Sequence, residues 1–161
     1  MRRAFVAALT FSLAAVAALN AAERGRAEGA LVINGTAIPL TYAYAAGNYR
    51  DETTNRDRDT KIVLTDRELP AGFDLHAHDD VLPDGTHGII LCIDGKQATH
   101  VFLQHAGGTY DAGWFTGPND YHFKARRSDR GTVGGTLKVE KPITTATIEF
   151  TCDVSFDAEV R

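Results

Sequence analysis

The chain predicts an all-β fold: a single-domain antiparallel sandwich or barrel of about nine strands. Three observations carry this reading. The stretch from Thr145 to Val160 alternates cleanly. Ile148, Phe150, Cys152, Val154 and Phe156 fall on one side, and Thr147, Glu149, Thr151, Asp153 and Ser155 on the other. A period of two with one wet face is the mark of an antiparallel strand. Turn dipeptides such as Asn34-Gly35, Asp94-Gly95 and Gly107-Gly108 punctuate the apolar runs. Beyond Ala21, no stretch sustains the 3.6-residue apolar period of a helix.

The elements follow in order. Arg2-Arg3, the apolar run Ala4 to Leu19 and the small-residue end Leu19-Asn20-Ala21 read as an export signal spanning residues 1–21. The run is short and alanine-rich, whereas a membrane span needs roughly 20 strongly apolar residues. The expectation is a periplasmic or secreted protein with no membrane partner once the signal is removed. Residues 22–29 read as a flexible leader and 30–161 as the all-β domain. Ala30 to Ile33 is a strand. Asn34-Gly35 suits a type I′ turn, and Ala37 to Ala46 returns, with Pro39 favouring an edge or a bulge. Tyr42 and Tyr44 alternate there with Thr41, Ala43 and Ala45 and face the core or a groove.

Gly47 to Asp59 reads as a charged surface loop. Asn55, Asp57, Asp59 and Asp66 imitate calcium-loop spacing, but Thr60 stands where that loop needs glycine. Lys61 to Thr65 is a strand. Asp66 to Pro83 is interrupted by Pro70, Gly72 and Asp79-Asp80, and reads as a loop or as one or two helical turns within Ala71 to Asp80. Ile89 to Ile93 is a continuous apolar run, a strand buried on both faces. After Asp94-Gly95, Ala98 to Ala106 runs back. Val101, Leu103 and His105 share one of its faces, and His100, Phe102 and Gln104 the other. Strands at Tyr110 to Phe115 and Tyr121 to Arg126 flank Gly117-Pro118-Asn119. In the next strand, Thr132 to Glu140, Gly134-Gly135 marks a bulge or a close backbone approach. The last strand would span roughly 50 Å if straight, so a bend or bulge is expected in it.

Signal removal leaves 161 − 21 = 140 residues, enough for one domain. Basic residues fall from 17 to 15 against 21 acidic ones, so the mature charge is 15 − 21 = −6. That balance argues against a nucleic-acid partner. Cys92 and Cys152 are the only cysteines. Export permits a disulfide between them, closing a loop that would stabilise by about 4 kcal/mol in the chain-entropy account.

Gly29 to Ala45, Ile62-Val63-Leu64-Thr65-Asp66, Gly135 to Val139 and Val154-Ser155-Phe156-Asp157-Ala158 resemble a family of secreted bacterial β-domains of unknown function. The resemblance spans most of the mature chain. It implies an exported all-β domain and brings no activity or catalytic residues.

Candidate chemistry is sparse. His76, His78, Asp80 and His87 form the densest set of metal-ligand residues. On a strand, His76 and His78 share a side and suit copper or zinc; on a helix they lie roughly 200° apart and do not. His100 and His105 lie among apolar residues, and no Gly-x-Ser-x-Gly elbow exists. No catalytic residues are assigned. Tyr44, Tyr49, Tyr110, Phe115 and Tyr121 are amphipathic or aromatic candidates for a binding surface. The sequence therefore reads as a non-catalytic binding module without a cofactor, its partner an unknown protein or small ligand. The alternative is a copper- or zinc-binding protein built on the histidine cluster.

Overall fold

A computed structural model describes residues 25–51, 56–76, 81–94, 97–114, 121–128 and 131–161. They build ten strands, β1 Arg26–Ile33, β2 Thr36–Pro39, β3 Tyr42–Asp51, β4 Arg56–Thr65 and β5 Gly88–Asp94, then β6 Gln97–His105, β7 Gly108–Trp114, β8 His122–Ser128, β9 Thr132–Thr145 and β10 Ile148–Glu159. All belong to one antiparallel sheet in the order β7-β6-β5-β4-β3-β1-β10-β9-β8, with β2 attached to β1 alone. The fold is all-β, as the alternation requires, and the sheet is not closed into a barrel.

The sheet folds over on itself, bringing β7 against β9 and β6 against β8. Among the described residues, side chains and not a backbone ladder fasten these margins. The Tyr121 hydroxyl donates to Ala112 O at 2.7 Å and Thr145 Oγ1 to Asp111 O at 2.6 Å. A short parallel bridge between Ala45 and Val160 fills the place where β1 has not yet begun. There Arg161 N donates to Ala45 O and Gly47 N to Arg161 O.

The period of two gives each strand an inner row. Leu31, Ile33, Ile62, Leu64, Ile89, Leu91, Val101, Leu103, Phe150, Val154 and Phe156 belong to one core between the two halves of the folded sheet. A second, smaller core lies on the other side of β3 to β6. Val63, Ile90, Cys92 and Phe102 meet Leu69, Leu75 and Leu82 from the segment joining β4 to β5. This is why β5 is apolar from Ile89 to Ile93: both of its faces are covered there.

Several expectations are corrected. The disulfide is absent: Cys92 and Cys152 are separate buried thiols. The reason is parity. Cys92 belongs to the outer core and Cys152 to the inner one, so the sheet stands between them. The expected leader residues 26–29 pair with β10 as the first half of β1. The charged stretch from Gly47 to Asp59 is mostly paired strand, because β3 and β4 extend into it. Thr36–Pro39 forms an edge strand on β1, as its proline favours, and past Leu40 and Thr41 the chain stays beside β1 while β4 pairs along its other side. The strands number ten where about nine are expected, because that return strand divides in two. The export signal at residues 1–21 and the Gly95 turn position lie outside the described residues.

Three expectations hold. Asn34 and Gly35 take φ of 48° and 80°, as a type I′ turn requires. β10 carries a register shift between Phe150 and Cys152. Gly135 is a close approach: a Cβ there would meet Lys124 O at 2.3 Å.

Candidate functional site

The segment from Asp66 to His87, described at 66–76 and 81–87, packs over the outer face of the sheet. Its turns form where the sequence breaks: Phe73 N donates to Pro70 O and Thr86 N to Pro83 O, each at 3.0 Å. Leu69, Leu75 and Leu82 sink into the outer core and hold the segment down. Two polar clasps add to this. The buried Gln104 amide pairs with the Leu82 backbone as a strand would, Oε1 accepting from Leu82 N and Nε2 donating to Leu82 O at 2.9 Å. At the far end, Asp66 N donates to His87 O at 3.0 Å, and Asp66 Oδ1 accepts from His87 N at 2.8 Å.

Where this segment leaves β4 it overhangs β3 and forms a cleft of about 650 Å³. Leu69, Pro70, Phe73, Leu75 and the Tyr44 ring supply apolar wall; Glu68 and Arg161 supply opposite charges. A smaller groove of about 300 Å³ continues past Tyr44, Glu68 and Arg161 to Tyr42, Arg26 and Glu159. Tyr44 Oη accepts from Leu69 N at 2.9 Å, which leaves the phenol proton to donate. Burial raises the Tyr44 pKa, the Leu69 bond opposes that rise, and Glu68 adds to it. The phenol therefore stays protonated at neutral pH and can serve as a donor in the cleft.

The binding-surface candidates do not converge. Tyr44 lines the cleft. Tyr110 and Tyr121 are partly buried against the inner core, and Tyr121 fastens the sheet margins. The Tyr49 side chain and Phe115 lie outside the described residues. Phe73, Leu75 and Arg161 were missed by the sequence reading. The available signal was three leucines spaced through a turn-rich segment, a pattern that anchors a loop on an apolar face.

The metal candidates are also dispersed as far as they are described. His78 and Asp80 lie outside the described residues. His76 is exposed, its amide held by Asp74 Oδ1 at 2.9 Å. His87 instead meets His105, Nδ1 to Nδ1 at 3.1 Å with ring centroids 4.7 Å apart. Burial and the neighbouring His87 lower the His105 pKa. Among the described residues, no three histidine, cysteine or carboxylate side chains gather as a metal-binding group.

His100 is fully buried. Its Nε2 bonds Asp111 Oδ1 at 2.7 Å, and its ring stacks on Phe102 at 4.2 Å. This is the setting of a histidine tied into a sheet. Comparison with family models, curated proteins and solved structures finds no match to the chain.

Proposed function

We propose that this protein is an exported, non-catalytic binding module whose ligand sits in the cleft between the Asp66–His87 segment and β3. The cleft itself carries the reading. A ligand pocket needs apolar wall for affinity and a few placed polar groups for orientation. Phe73, Leu75 and Tyr44 give the first; Glu68, Arg161 and the Tyr44 hydroxyl give the second. Its volume suits a small molecule or one or two side chains of a protein partner. The continuing groove lets a longer ligand run on past Tyr42 toward Arg26. The export reading rests on the Arg2-Arg3 and Ala4–Leu19 pattern.

An NMR screen with a library of small amphipathic fragments tests the site without knowing the natural ligand. Binders should shift the amides of Leu69 to Leu75, Tyr44 and Arg161 together. Phe73→Ser, which removes wall without emptying the core, should weaken them at least tenfold. Fragment shifts that cluster elsewhere, or that survive Phe73→Ser unchanged, would remove the cleft from consideration.

A further inference from the structure

A second polar feature stands apart from the cleft, at one end of the inner face. Leu64, Ile89 and Leu103 form a row in register across β4, β5 and β6, all within the inner core. Two residues further along each strand line, the same parity arrives at Asp66, His87 and His105. The apolar row thus ends in a carboxylate and two imidazoles at the rim. The half-buried His87 and His105 rings are tilted by 36° and their Nδ1 atoms are 3.1 Å apart.

We propose that His87 and His105 are the protein ligands of a site for one zinc ion, with water completing the coordination shell. Imidazole nitrogens bind zinc at about 2.0–2.1 Å, so two of them on a tetrahedral ion stand roughly 3.3 Å apart. The observed separation needs to open by only a few tenths of an ångström. Both ligands start from fixed backbones. His87 is held through its N–H and its C=O by Asp66. His105 pairs with Gly108 across a tight turn in which Ala106 and Gly107 take φ of 50° and 80°. Little ordering remains to be done when the ion arrives.

The proton balance is simple. Without metal, one ring carries its proton on Nδ1 and donates it to the other. Moving that proton to Nε2 of the same ring, by exchange with water, leaves two neutral imidazoles with both Nδ1 lone pairs toward the ion. No proton is lost from the pair and no redox step is involved. Asp66 contributes as a neighbouring negative charge. Its Oδ1 accepts from the His87 backbone N–H and lies 3.8 Å from Arg67 Nε, so it holds the His87 backbone in place.

The test uses untagged full-length protein, stripped with chelator and titrated with zinc chloride by calorimetry. One-to-one binding and a zinc-dependent rise in melting temperature are expected. Long-range proton–nitrogen spectra of the unmodified protein should show both Nδ1 resonances moving on zinc addition, a readout needing no variant. His105→Gln keeps a hydrogen-bonding group, so the metal-free melting temperature should change little while zinc binding is lost. His76→Ala should bind zinc as the parent does. Absence of stoichiometric binding, unmoved Nδ1 resonances, binding that survives His105→Gln, or loss in His76→Ala would each overturn the assignment.

Discussion

Gln104 takes the place of a missing strand for one residue. Its amide offers Leu82 an acceptor and a donor in the spacing of a peptide group, and both are buried. Removing it strands two backbone groups away from water, at about 1–3 kcal/mol each. Gln104→Leu should therefore lower the unfolding free energy by roughly 2–4 kcal/mol despite the added apolar surface. Urea titration checks this; an unchanged midpoint would show that water replaces the amide. Cys152 is the other residue with a measurable signature. Burial raises its pKa to about 12, a bond from the Val139 backbone opposes the rise, and Asp153 adds to it. A thiol that ionises later in the folded state stabilises that state fully below its unfolded pKa. This contribution is lost as pH rises from about 9 toward 12. Cys152→Ala should thus lose less stability than the parent between pH 8 and pH 10.5 in parallel denaturant titrations. Equal losses would show that the thiol plays no part.

At the scale of the element, glycines set how closely strands approach. Gly135 lies between β8 and β10, where an added Cβ would meet Lys124 O at 2.3 Å and the Phe156 ring at 2.9 Å. Backbone cannot yield as a flexible side chain does, so Gly135→Ala should destabilise by about 1–3 kcal/mol through overpacking. Thermal unfolding measures it, and a neutral result would mean that β8 can lift from β9 without cost. Gly29 is the same case on β1: its φ is 138°, and a Cβ would fall 2.1 Å from Asp153 O. Pro39 shows the opposite tactic. It supplies no N–H, and just beyond it the chain gains β4 as a second neighbour while Leu40 N still bonds Gly29 O and Tyr42 still pairs with Arg26.

At the scale of the whole molecule, local pattern specified local structure well. Alternation identified β10, β6 and the both-sides burial of β5, and Asn34-Gly35 identified its turn, because side-chain parity and positive φ are properties of a few adjacent residues. The charged stretch before Lys61 was misread because strand pairing there draws on the neighbouring chain, not on its own composition. The two cysteines were joined on compartment and parity of number. Only the sheet decided otherwise, by placing Cys92 outside and Cys152 inside. The cleft was legible only as three leucines in a broken segment, and its Arg161 wall comes from the opposite end of the chain. His87 and His105 were each visible as residues, yet their meeting depends on the register of β5 against β6. The sequence by itself determined periodicity, turns and the all-β class, which are set within a few residues of each position. Strand order, the second core, the separation of the thiols and both polar sites were decided by tertiary structure, because each depends on which face meets which neighbour across distances the local pattern does not encode.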